Sequence, residues 1–143
     1  MSWLLVAHLV LVSAYAGFQW TVRVVVYPQF ALVPAVPPAA FARYELAHQQ
    51  RITRLVGPLF GGQVLTTAGV LVFRPDGASL VTALGAVALL AVVLGLTGLL
   101  AVPLHRKLSA GWDDAAFRRL LRVDALRVAA ATANVAVAVV LLR

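Results

Sequence analysis

The chain has no cysteine and one methionine, Met1. The first absence removes disulfides, thiolate metal sites, iron–sulfur clusters and a cysteine nucleophile. The second removes a methionine-rich copper pathway. Glu45 is the only glutamate, so a carboxylate-bridged two-iron centre, which draws several glutamates from a helix bundle, is out of reach. Charge is scarce too: 12% of residues are charged, roughly half the ~25% of a soluble domain. No stretch reads as a nucleotide-binding loop, a dinucleotide fingerprint or a nucleophile triad.

What is abundant is apolar sequence, at 62% of residues. Four long runs predict transmembrane helices over about 3–27, 56–73, 78–102 and 120–142, each near the ~20 residues that cross ~30 Å of hydrocarbon. The expected fold class is all-α, an integral membrane four-helix bundle with an additional amphipathic helix over 39–55 between helices 1 and 2. Residues 1–143 then form a single transmembrane domain. The first run is too long for a signal core and Met1-Ser2 before it carries no positive charge, so it is expected to stay in the mature protein.

The net charge of +7 is unevenly placed. Arg43, Arg51, Arg54, Arg106, Lys107, Arg118, Arg119 and Arg122 fall in or beside two connections, between helices 1 and 2 and between helices 3 and 4. The positive-inside bias puts those connections in the cytoplasm and both termini outside, in a bacterial inner (plasma) membrane. The basic residues set topology and touch anionic lipid, so the bilayer is the expected partner and nucleic acid is not.

The stretch "FARYELAHQQRITRL" (41–55) concentrates chemistry in an otherwise greasy chain. Phe41, Tyr44, His48, Ile52 and Leu55 recur at three- and four-residue steps and define one helix face. The segment either lies in the interface or runs into helix 2 with a kink at Gly57-Pro58. Before it, Pro28, Pro34, Pro37 and Pro38 predict a stiff, extended connector. Helix 3 has no ionisable residue, and its Gly85, Ala91, Gly95 and Gly98 suit close approach of a neighbouring helix.

Polar residues within spans call for a reason, at ~2.5–3.5 kcal/mol for each charge. Gln19 and Arg23 in helix 1, Gln63 in helix 2, and Asp124 and Arg127 in helix 4 share a depth in the cytoplasmic half, with Glu45 and His48 beside them. Asp124 and Arg127 are spaced to pair on one helix face, which leaves Arg23 to a carboxylate, a lipid phosphate, a ligand anion or the headgroups by snorkelling. The candidate site is therefore Glu45, His48 and Asp124 for proton transfer, with Gln19, Arg23, Tyr27, Arg51, Gln63 and Arg127 binding a ligand. Glu45, His48 and His105 lie on one side and leave a single divalent ion open as a minor reading, although no metal site is assigned. His8, near the opposite end, is a haem ligand or an interfacial residue. The residues themselves specify no cofactor.

"YPQF" (27–30), "FARYELAH" (41–48) and "RITRLVGP" (51–58) together resemble a group of small four-helix bacterial membrane proteins of unknown function. That group has Tyr-Pro-x-Phe, Phe-x-x-Tyr and Arg-Ile-Thr at these places. Where it carries Asn-Trp-x-Arg-Thr in helix 4, this chain has "DALRV", keeping Arg127 alone. The layout is more distantly similar to the anthrone-oxygenase-like membrane family, which implies oxidation of a polycyclic aromatic substrate without an obvious cofactor. A histidine opening helix 1 also resembles small haem-associated porphyrinogen oxidases and copper-resistance membrane proteins.

The reading that follows is a membrane protein that binds an anionic or amphipathic lipophilic small molecule in the polar layer of its cytoplasmic half. Whether it oxidises or isomerises that molecule is left open. The alternatives are an accessory or assembly subunit contacting a membrane partner, or a second copy, through helix 3, and a small proton-coupled exporter cycling Asp124.

Overall fold

The computed structural model describes residues 2–32 and 37–143. Four helices account for them: α1 (Trp3–Phe30), α2 (Pro38–Phe73), α3 (Leu80–Ser109) and α4 (Asp114–Leu141). All four are long and apolar enough to cross a membrane, and no strand occurs among the described residues. Short connections make neighbours antiparallel, and α1 and α3 each pack against both α2 and α4, closing an up-down bundle. The helices overrun the apolar runs at the basic end, because a backbone beside lipid meets its own hydrogen-bonding need by remaining helical. Met1 and Pro34 lie outside the described residues.

The segment 39–55 is helical as expected, and of its two dispositions the continuous one is found. It joins helix 2 directly in a single 36-residue helix that passes through Pro58. Its inward face differs from the apolar one read from periodicity. Phe41, Glu45 and Val56 are buried and His48, Gln49 and Ile52 are half-buried, whereas Tyr44 and Leu55 are exposed. A lipid solvent removes the penalty for exposing tyrosine or leucine but not the one for exposing a carboxylate, so Glu45 turns inward.

Pro28 does not end α1. Buried positions along that helix, Leu5, His8, Val12, Tyr15, Gln19, Val22, Tyr27 and Phe30, step by three or four residues until a step of five between Val22 and Tyr27. That step coincides with a π turn at Val22–Val26, and α3 has a second at Leu96–Ala101, just before Pro103. Each wide turn precedes a proline, whose ring would crowd the carbonyl four residues back and which has no amide proton to give it. Thr21 and Thr97 hydroxyls donate to the Gly17 and Val93 carbonyls, at 3.0 and 2.7 Å, and help satisfy the backbone at the start of each bulge. The inserted residue re-aims everything beyond it, including Tyr27 and His105.

The glycines of helix 3 play no part in its closure. A Cβ at Gly85, Gly95 or Gly98 would meet nothing within 4 Å. Close packing occurs between α1 and α2 instead, where a Cβ at Gly62 would lie 3.0 Å from Leu11 and one at Gly69 would lie 3.2 Å from Leu4. The turn between α2 and α3 takes positive φ at Arg74 (42°) and Gly77 (77°), of which only the glycine does so without cost.

α4 starts at an aspartate cap, Asp113. Asp113 accepts from the Ala116 amide at 2.7 Å and from Lys107 Nζ at 2.6 Å. The lysine, then that amide, holds the Asp113 carboxyl below the usual carboxylate range. The folded value is depressed, so the stabilisation is present above the unfolded value and is lost as pH falls through the folded one. Melting of the wild-type protein in detergent is therefore expected to move down on acidification below about pH 4, with Asp113→Asn starting lower at neutral pH and showing less of that dependence. Parallel pH curves for the two proteins would contradict the assignment.

Candidate functional site

Two polar groups meet inside the bundle at its basic end, one between α1 and α4 and one between α2, α3 and the end of α1. In the first, Asp124 is fully buried and Arg127 is 6% exposed. They make no ion pair with each other, contrary to the i, i+3 expectation. Gln19 lies between them, donating to Asp124 Oδ1 at 2.6 Å and accepting from Arg127 Nη2 at 3.1 Å. Arg127 also donates to the Tyr15 hydroxyl at 3.3 Å, and its buried Nε finds no acceptor among the described residues. Arg23 finds its carboxylate in Asp124 Oδ2, at a loose 3.4 Å, and has the Leu121 carbonyl at 3.5 Å. Local sequence explains the arrangement. Gln19 and Arg23 are one turn apart on α1, and Asp124 and Arg127 nearly one turn apart on α4, so two antiparallel helices bring all four together.

In the second group Glu45 pairs with His105, not with His48. Its Oε1 lies 2.6 Å from His105 Nδ1, and His105 Nε2 lies 3.2 Å from the Tyr27 hydroxyl. Gln49 donates to Glu45 Oε1 and to the His105 carbonyl, each at 3.2 Å, and also to Ser109. Glu45 is fully buried and its second oxygen, Oε2, has no partner among the described residues. In the tautomer that donates from Nδ1 to the carboxylate, Nε2 accepts from the Tyr27 hydroxyl. His48 is held by rings, with centroids 5.2 Å from Phe30 and 5.8 Å from His105. Among the described residues no three carboxylate or imidazole groups converge as a metal ion would need.

A cavity of about 380 Å³ joins the two groups. Val22, Ile52, Val56, Phe60 and Ala101 give it apolar walls, and Tyr27, His48, His105 and Arg127 bring polar atoms to it. Thr53, Gly57, Val102 and Arg106 line it and are also exposed, which places its mouth between α2 and α3. Asp124, Gln19 and Glu45 do not line it. Gln19 and Glu45 each stand one hydrogen bond behind a residue that does, and Asp124 stands two behind, through Gln19, so the two carboxylates position Arg127 and His105 rather than meet a ligand.

The remaining candidates lie elsewhere. Arg51 is exposed on α2 and takes no part in the cavity. Gln63 is buried one level further along the bundle, donating to its own Leu59 carbonyl at 3.4 Å. His8 is fully buried, not interfacial, with Nδ1 3.2 Å from Thr66 Oγ1 and Nε2 without a partner. Asn134 Oδ1 and Thr67 Oγ1 are likewise buried without protein partners. The residue that sequence reasoning undervalued is His105, considered only for a metal. Its signal was its place at the same end as Glu45.

Such a site can hold an oxygen atom with a guanidinium and a phenol while moving a proton along Tyr27, His105 and Glu45. No family model, curated protein or solved structure matches the chain.

Proposed function

We propose that this protein binds a small lipophilic molecule with an anionic or carbonyl head in the cavity between its two polar groups and moves a proton on it. The basic end of the bundle faces the cytoplasm of a bacterial inner membrane, with both termini outside. What carries the reading is one observation: a single apolar cavity is lined both by Arg127, whose buried Nε finds no acceptor among the described residues, and by Tyr27 and His105 of the Tyr27–His105–Glu45 chain. A buried donor without an acceptor is costly unless something fills its place. The volume sits at the lower end of small-molecule sites, ~300–1,000 Å³, which suits a compact lipophile rather than a whole phospholipid. A mouth between α2 and α3 lets it enter from the membrane.

The chemistry is a 1,3-proton shift and needs no oxidant. A ligand C–H bond breaks and its proton passes to the Tyr27 oxygen, while the Tyr27 proton moves to His105 Nε2. Glu45 stabilises the imidazolium that results. The bond's electron pair moves into the ligand carbonyl, whose oxygen accepts a hydrogen bond from the Arg127 guanidinium, and in a ligand with a C=C bond next to the deprotonated carbon, reprotonation at the far carbon of that bond reverses the relay. Oxidation of a polycyclic aromatic compound, implied by resemblance to the anthrone-oxygenase-like family, would use the same cavity with an added oxidant.

Protein purified in mild detergent and extracted for mass analysis is expected to yield one lipophile near 1:1. Arg127→Met should lower its retention about 30-fold or more, the effect of truncating one partner of a buried charged hydrogen bond. Tyr27→Phe, which keeps the ring, should retain it several-fold less well. A clean apoprotein, or full retention in both variants, would overturn the proposal.

A second reading, association through α3, draws on the open space over Gly95 and Gly98. It predicts that Gly95→Leu or Gly98→Leu breaks up a complex seen by size in detergent while leaving the cavity's ligand in place.

A further inference from the structure

A second, smaller concavity of about 280 Å³ lies outside the bundle core, between α1 and α4, lined by Arg23, Tyr27, Pro28, Ala31, Phe117 and Leu121. Tyr27 lines both this groove and the inner cavity. The groove's apolar floor is formed by the turn after the π bulge of α1 and by one face of α4. Pro28 and Ala31 are exposed, so the groove is open to the surroundings of the bundle.

Arg23 is the charge within it. Its side chain is 39% exposed, and among the described residues it makes only two contacts, both through Nη1 and both long, 3.4 Å to Asp124 and 3.5 Å to the Leu121 carbonyl. Among the described residues its Nη2 and Nε donors find no acceptor. A guanidinium presents five donors in a fixed fork that matches phosphate, so one loosely used nitrogen leaves most of that capacity free. Arg118 does not line the groove, but it is exposed one helical turn before the half-buried Leu121 on α4, and that spacing brings a second cation to the same side of the helix.

Depth supports the same occupant. Arg23 and Leu121 each lie seven residues from their helix ends, ~10 Å at 1.5 Å per residue, and Arg118 lies ~6 Å from its own. A headgroup phosphate set between the two arginines would lead its acyl chains inward over Leu121, in the direction of the exposed Trp20 of α1. Apolar floor, phosphate-matched donors and interfacial depth coincide at this place.

We propose that the Arg23 groove is a specific site for the headgroup of one anionic phospholipid. It is distinct from the inner cavity, whose mouth lies on the other side of the bundle, between α2 and α3. The proposal does not depend on the cavity holding a small molecule. It shares only Tyr27 with that site, and the Arg23–Asp124–Gln19–Arg127 chain connects the two.

The test is native mass spectrometry of the delipidated full-length protein titrated with phosphatidylglycerol or with phosphatidylcholine of the same chains. The wild-type protein is expected to bind one phosphatidylglycerol about tenfold more tightly than phosphatidylcholine. Arg23→Gln should remove most of that preference. Arg23 also contacts Asp124, so Arg118→Gln, which touches nothing in the buried network, is the second variant and should reduce the preference several-fold without changing the melting temperature. Equal affinity for the two lipids, or a preference retained by both variants, overturns the proposal. Arg127→Met should leave the lipid preference intact while emptying the inner cavity, so the two sites fail separately.

Discussion

Asp124→Ala is expected to cost about 3–5 kcal/mol of stability, measured as unfolding in detergent micelles, the range for a buried charge pair broken from one side. The magnitude comes from what is left behind. Asp124 is fully buried and accepts from Gln19 and Arg23. Without it, the Gln19 amide loses its acceptor, and a guanidinium that is 6% exposed stays in the bundle with its nearest counter-charge gone. Asp124→Asn keeps an oxygen for Gln19 and should cost clearly less. Removing both charges tests the cause: Asp124→Leu with Arg127→Leu should be more stable than Asp124→Ala alone, because an apolar replacement leaves no orphaned ion. A double variant as damaged as the sum of its parts would show that packing, not charge, holds α1 to α4.

His105→Phe and Glu45→Gln are expected to slow proton transfer on the bound lipophile by about 10²–10⁴-fold, the usual contribution of a placed acid or base. The readout is incorporation of solvent deuterium into the lipophile extracted from the wild-type protein and returned to each variant. His105→Phe removes the nitrogen that takes the Tyr27 proton. Glu45→Gln keeps the shape but withdraws the negative charge that makes imidazolium formation favourable. Because Glu45 is one bond behind the cavity, its variant should lower the rate while retaining the ligand, a split that general unfolding would not produce. His48→Phe is the control. It lines the same cavity and shares the ring cluster but hydrogen-bonds to neither Tyr27 nor Glu45, so its rate should stay within a few-fold of wild type. A large loss at His48 with none at His105 would reverse the assignment of the base.

Much of the architecture is legible in composition. Four apolar runs of membrane-crossing length, separated by proline, glycine and arginine, leave few alternatives to a four-helix bundle. The helical character of 39–55 follows from its periodicity. The gathering of Gln19, Arg23, Asp124 and Arg127 follows from counting depth along antiparallel helices, and Tyr27 and Arg127 were both expected near a ligand.

The pairings within that layer were not legible, for three physical reasons. A π turn inserts one residue into the register without marking the sequence, since Pro28 and Pro103 read as helix ends and not as relieved helix interiors. Amphipathic reasoning weights apolar residues inward, yet lipid accepts Tyr44 and Leu55 and rejects Glu45, so the inward face of α2 rotates from the one predicted. Finally, a hydrogen-bond partner is chosen by proximity across helices. Gln19 comes between Asp124 and Arg127, and His105, sixty residues from Glu45, displaces the histidine three residues away. The sequence by itself determined which helices form, that they are fit to lie in lipid, and the depth at which their polar residues gather, because these depend on length, hydropathy and rise per residue. Only the tertiary structure decided which side chains touch and that a cavity lies between them, because those depend on helix rotation, to which a single wide turn contributes as much as the whole apolar pattern.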